Sequence, residues 1–130
     1  MSDLAAQALA AQQQAYAPYS RFRVGAALAA EDGRVFVGCN VENASYPLAV
    51  CAERNAIAAA VVEGARRFRA IAIATDSSPP SPPCGACRQA LREFGPDLAV
   101  VLVNGRGERV ETTLAALLPM SFGPEHLTAT

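Results

Sequence analysis

No stretch of this 130-residue sequence approaches the roughly 18 uninterrupted apolar residues that a membrane span needs. The opening Met1-Ser2-Asp3 has no basic segment leading into an apolar run. Neither a membrane partner nor a secretory leader is expected, and the expected location is the cytoplasm. Charge is scarce and balanced: 18% of residues are charged and the formal net charge is −1. Such a chain has no overall field to hold a phosphate polymer or an anionic bilayer, so the expected partner is a small molecule of little charge and not a nucleic acid. Arg66, Arg67 and Arg69, just after Gly64, read as a solvated helix end rather than a nucleic-acid patch. Histidine is nearly absent, and the one present, His126, lies in a polar tail and reads as a surface residue. No internal repeat or low-complexity tract divides the chain. The Ser/Pro-rich run 77–83 reads as an ordered connection between structured segments. With 52% apolar residues the chain can fill one core, so residues 1–130 are expected to form a single domain.

The pattern alternates helices and strands. Ser2 and Asp3 offer an N-cap for an Ala/Leu/Gln-rich helix expected up to about Ala15 and stopped by Pro18. Phe22, Val24, Ala26 and Leu28 alternate with Arg23, Gly25, Ala27 and Ala29, and Asp32-Gly33 turns the chain into 35–39, which predicts a β-hairpin. A helix is expected over about 48–62, capped by Gly64. A strand follows over 70–75, then a second strong helix over 84–94 after prolines 79, 80, 82 and 83, closed by Gly95. A buried strand over 98–103, a ribbon near Val110 and a last helical turn or two over 112–118 complete the order. Alternation after an initial hairpin predicts an α/β fold, a mixed sheet with helices on both faces.

Four cysteines could make two disulfides, but a chain of this length without secretory context favours metal ligation. Cys84-Gly85-Ala86-Cys87 places two thiols three positions apart at a helix start, where i and i+3 share a face and where free N–H groups favour thiolate. Alone, this spacing also fits a redox pair or two unrelated thiols. Cys51-Ala52-Glu53, at the start of the other strong helix, adds a third thiolate and a carboxylate. Three ligands leave tetrahedral zinc one open position, as in hydrolytic sites; a fourth, Cys39, would close it into a structural site. On a regular helix Cys51 and Glu53 point about 200° apart, so both serve one site only if the metal lies off the helix end. Glu53 would then reach water as a proton shuttle without ligating the metal. Three thiolates leave the centre with surplus negative charge, and Arg54 is the expected donor that offsets it at the sulfurs.

Cys51-Ala52-Glu53 with Pro83-Cys84-Gly85-Ala86-Cys87 resembles the zinc deaminase signature. Phe22-Arg23-Val24-Gly25-Ala26-Ala27-Leu28, Gly38-Cys39-Asn40-Val41-Glu42-Asn43-Ala44-Ser45-Tyr46-Pro47 and Leu117-Leu118-Pro119-Met120-Ser121-Phe122-Gly123-Pro124 are similar to segments of the small, homotetrameric cytidine deaminases, in the family order and over almost the whole chain. The extra prolines of 77–83 are the visible departure. That resemblance implies a three-layer α/β/α sandwich with a central mixed sheet of about five strands. It implies one Zn²⁺ per subunit on Cys51, Cys84 and Cys87, and hydrolytic deamination of cytidine and 2′-deoxycytidine with Glu53 carrying protons. It also implies Phe22 beside the pyrimidine, the Asn40-Val41-Glu42 segment on the sugar with Asn40 and Glu42 on the 3′-hydroxyl, and backbone near Ala52 at the 4-amino group. Ala44, Tyr46 and Phe122 are implied to reach neighbouring subunits' sites in a homotetramer. A neutral amide beside a carboxylate suits a sugar hydroxyl and repels a phosphate, so nucleosides are expected over nucleotides. A deaminase of another amine-bearing ring, a non-catalytic zinc module using Cys39 and a polynucleotide editor remain as rivals.

Overall fold

The computed structural model describes residues 2–128; the capping side chains expected at Ser2 and Asp3 lie outside the described ones. The first strand, β1 (Gly25–Ala30), is buried along its whole length. Its alternation sends Ala26, Leu28 and Ala30 to one face and Ala27 and Ala29 to the other. Both faces are apolar because both are covered. Helix α1 (Ser2–Gln12) lays Leu4, Ala5 and Ala8 on the second face, over alanines 27, 29, 70, 72 and 74. These small side chains let the helix come close: a Cβ on Gly25 would stand 2.1 Å from the carbonyl oxygen of Ala8.

Strand β2 (Val35–Cys39) pairs antiparallel with β1, and β3 (Phe68–Ala74) pairs antiparallel on its other side. Between them in sequence, α2 (Ala52–Val62) crosses the first face. It ends in a Schellman arrangement, with Ala65 N–H on the Ala60 carbonyl and Gly64 N–H on that of Val61, Gly64 taking φ 90°. Helix α3 (Gly85–Arg92) joins β3 to the parallel strand β4 (Ala99–Val103), as a crossover must. An antiparallel edge strand, β5 (Arg109–Thr113), and short helices α4 (Leu114–Leu117) and α5 (Glu125–Thr128) finish the chain. The sheet order is β2-β1-β3-β4-β5. The expected mixed sheet of about five strands between helical layers is therefore present, with α1 on one face and α2 and α3 on the other. No helix among the described residues is long and apolar enough to cross a membrane.

Two boundaries differ from the expectation. The helix expected from residue 48 begins at Ala52, because Val50 exchanges both backbone hydrogen bonds with Val41 at 3.0 Å, leaving neither group for a helix. Tyr46–Leu48 is a single 3₁₀ turn. The first helix stops at Gln12 rather than near Ala15, since the buried Gln12 amide donates to the Arg23 carbonyl (3.1 Å) and to Asp76 (3.0 Å), and Tyr16 N–H turns away to the Asn40 carbonyl. The run 77–83 is pinned along its path: Ser81 N–H donates to Thr75 Oγ1, Asn104 to the Ser77 carbonyl and Arg88 Nε to the Pro83 carbonyl.

Register decides where the site lies. Gly25 faces Cys39 on one side and Ala74 on the other, so the segments before β1, after β2 and after β3 leave the sheet at one end, where α2 and α3 also begin. There α2 rests directly on β2: a Cβ on Gly38 would lie 2.5 Å from both the Ala52 carbonyl oxygen and the Ala56 nitrogen. Gly38→Ala is expected to push the start of α2 outward, destabilising the fold by about 2–3 kcal/mol and lowering zinc occupancy with it. Urea melts and metal content of the purified variant measure both; an unchanged variant shows that α2 is not seated on that glycine.

Candidate metal centre and adjoining cavity

Cys51 and Cys84 are each the residue that opens a helix, with extended backbone (ψ 154° and 166°) and no side-chain capping bond. Cys87 follows in the first turn of α3 and is fully buried, Cys51 is half-buried and Cys84 exposed. The three Sγ atoms lie within 4.8 Å of one another, the one such cluster of ligating groups among the described residues. Cys39, at the end of β2, is not in it, so among the described residues no fourth ligating group joins the cluster.

The capping position resolves the 200° problem. Cys51 stands outside the helix in extended conformation, so its sulfur need not follow the helical wheel, while Glu53 lies in the first turn. Glu53 is 4% exposed, and burial raises its carboxyl pKa, the negative charge of Cys51 adding to the rise. The Cys51 thiol is lowered to about 5, first by the S–H of Cys87, then by Cys84 and by the exposed Arg54 guanidinium. Cys87 is pushed up in turn, by the same hydrogen bond and by burial. Three sulfurs and a carboxylate thus compete for negative charge around one point, an arrangement that a soft divalent cation relieves.

Beside the cluster opens a cavity of about 320 Å³, lined among others by Phe22, Asn40, Glu42, Ala52, Glu53 and Cys84. Its size is at the lower end for small-molecule sites.

Residues 1–103 match the family model described as the cytidine and deoxycytidylate deaminase zinc-binding region. A cytidine deaminase of Sporosarcina psychrophila is 50% identical over 95% of this chain and 92% of its own length. Another from Halalkalibacterium halodurans is 50% identical over 93% and 92%. The crystal structure of cytidine deaminase from Burkholderia pseudomallei superposes with a TM-score of 0.89 at 52% identity, covering 93% of this chain and 98% of that one.

The chain belongs to the cytidine and deoxycytidylate deaminase family.

Its zinc site is the cluster of Cys51, Cys84 and Cys87, and the donor set fits zinc: three thiols from two helix starts, with one position left open. The closed Cys₄ alternative does not apply, because Cys39 stays apart. Around this deaminase centre the side chains read from the sequence divide. Phe22, Asn40, Glu42, Ala52 and Glu53 meet at the cavity. Asn40 is also a clamp: its side-chain oxygen accepts from Val24 N–H (2.9 Å) and its amide donates to the Phe22 carbonyl (2.8 Å). Val41 is 44% exposed and does not line the cavity. Ala44, Tyr46 and Phe122 do not line it either; Tyr46 is 75% exposed and Phe122 57%, the latter stacked on His126.

The sequence reading missed Ser20, Thr75 and Ser81 in the cavity wall. It also missed Arg88, which donates to the carbonyls of Pro83 (2.8 Å) and Leu117 (2.7 Å) and so braces the residue before Cys84. A hydroxyl in a loop and an arginine on a helix carry no periodic signal. Arg88, four residues after Cys84 on the same helix, was the one position that spacing alone could have raised.

Proposed function

We infer that this chain hydrolyses cytidine and 2′-deoxycytidine to uridine and 2′-deoxyuridine with release of ammonia, a step of pyrimidine nucleoside salvage in the cytoplasm. The observation that carries the reading is the buried Glu53 beside an open three-thiol cluster, in a cavity of nucleoside scale. Relatives half identical over nearly the full length bear the name cytidine deaminase.

Cys51, Cys84 and Cys87 would hold the zinc ion, which when bound would supply the Lewis acidity that makes a water easier to deprotonate. Glu53 takes a proton from the attacking water and delivers it to ring N3 as oxygen adds to C4. The carboxylate then takes the remaining proton from the hydroxyl at C4 and passes it to the 4-amino group; the C4 carbonyl forms as the C4–N4 bond breaks, and ammonia leaves. Backbone near Ala52 orients that amino group. Arg54 holds charge at Cys51 and keeps the sulfurs together. Phe22 packs on the pyrimidine, and the Asn40-Val41-Glu42 segment receives the sugar, with Asn40 and Glu42 on the 3′-hydroxyl. One Asn40 N–H remains beyond its clamp to serve there. The Ser20 hydroxyl holds the Glu42 carboxyl below its ordinary pKa, so it is charged and repels a nucleotide phosphate.

The exposed Tyr46 and Phe122, outside the cavity of their own chain, support a homotetramer in which Ala44, Tyr46 and Phe122 complete neighbouring sites. One purified sample tests the reading: ammonia release from cytidine, 2′-deoxycytidine, cytidine monophosphate, cytosine and blasticidin, with zinc content and sedimentation. Both nucleosides are expected to react, the nucleotide at least about tenfold less well, at a mass four times 13.5 kDa. Turnover of cytosine or blasticidin alone rejects the nucleoside assignment.

A further inference from the structure

Ser20 joins the two residues that the proposed function places on sugar and base. Its hydroxyl has one proton and two lone pairs. The proton goes to Oε2 of Glu42, and the oxygen accepts the Phe22 N–H at 3.0 Å. The Ser20 N–H (3.1 Å) and the Tyr19 N–H (3.0 Å) both donate to the other oxygen of Glu42. A carboxylate offers about two acceptor directions per oxygen. Oε1 has both taken by backbone, and Oε2 has one taken by Ser20, so Glu42 retains a single acceptor direction in a fixed plane. Ser20, Phe22 and Glu42 all line the cavity.

The backbone makes this link matter. Arg21, between Ser20 and Phe22, has φ 60°, a left-handed turn uncommon for a residue with a side chain. Its N–H closes back on the Ala17 carbonyl. Asn40 takes the Phe22 carbonyl and Ser20 the Phe22 N–H, so both backbone polar groups of Phe22 are held by side chains lining the cavity.

We propose that Ser20 is a positioning residue of the sugar subsite: it leaves Glu42 one acceptor for a sugar hydroxyl and ties that carboxylate to the backbone of Phe22. This rests on the nucleoside reading above. It predicts a loss that depends on the substrate's 3′-hydroxyl, which general support of the loop would not.

The test compares wild type, Ser20→Ala and Ser20→Thr by calorimetry with uridine and 3′-deoxyuridine, and by turnover of cytidine and 3′-deoxycytidine. Ser20→Ala is expected to weaken uridine binding and raise KM for cytidine about tenfold, with kcat within about twofold, while ligands lacking the 3′-hydroxyl change by less than about twofold. Ser20→Thr, which keeps the hydroxyl at an exposed position, is expected to recover to within about threefold. An equal loss with both sugars overturns the proposal, and so does no loss with uridine. Wild-type protein that binds uridine without deaminating cytidine rejects the deaminase reading alone, and the binding comparison still decides the role of Ser20. Wild-type protein that binds no nucleoside rejects both.

Discussion

Glu53→Gln is expected to lower kcat by about 10³–10⁴-fold while zinc stoichiometry and nucleoside affinity stay within about threefold of wild type. Glutamine has nearly the same shape, so the 4%-exposed pocket that holds Glu53 is neither emptied nor overfilled. It can donate and accept hydrogen bonds at the same atoms, but it cannot take a proton from water and return it to N3 or to the leaving amine. The carboxylate is not among the ligating groups of the cysteine cluster, so its loss leaves the metal's donors intact. Ammonia release, metal analysis and calorimetry on the same preparation separate the outcomes. Retained turnover removes Glu53 from proton transfer. Loss of zinc together with turnover makes it a structural support of the cluster instead.

The central sheet and the cluster were legible before any coordinates because both depend on local pattern. Alternation of Phe22, Val24, Ala26 and Leu28 with Arg23, Gly25, Ala27 and Ala29 marked the strand of the hairpin, and the thiols mark two helix starts that Gly64 and Gly95 help to bound. The start of α2 was misplaced to residue 48 because its cause is not local: Val50 is drawn into extended pairing by Val41, nine positions earlier. Asn40 and Glu42 were read as sugar contacts, yet most of their hydrogen bonding holds the 19–24 segment, a relation between residues about 20 apart that no spacing rule exposes. Ser20 and Arg88 are defined by partners as distant, Glu42 and Leu117. Tyr46 and Phe122 are exposed and do not line the cavity of their own chain.

Cys84→Ser is expected to abolish zinc retention and activity while Cys39→Ser leaves both near wild type, and the contrast follows from where the two residues sit. Serine is among the best residues at a helix start, so the substitution at 84 preserves or improves the cap of α3 while withdrawing one of three soft donors. Any loss is therefore loss of the metal rather than of the helix. Cys39 ends β2 outside the cluster and its replacement removes no ligand. Because the metal ties the start of α2 to the start of α3, binding it is also folding free energy. With free zinc about a thousandfold above its dissociation constant, that amounts to about 4 kcal/mol, or about 15 °C in Tm for a chain of this length. Chelation of wild type should lower Tm by that order and zinc should restore it, whereas Cys84→Ser should melt at the chelated temperature with or without added metal. If Cys39→Ser instead released the zinc, the fourth position would belong to protein, water would have no place there, and hydrolysis at this centre would be untenable.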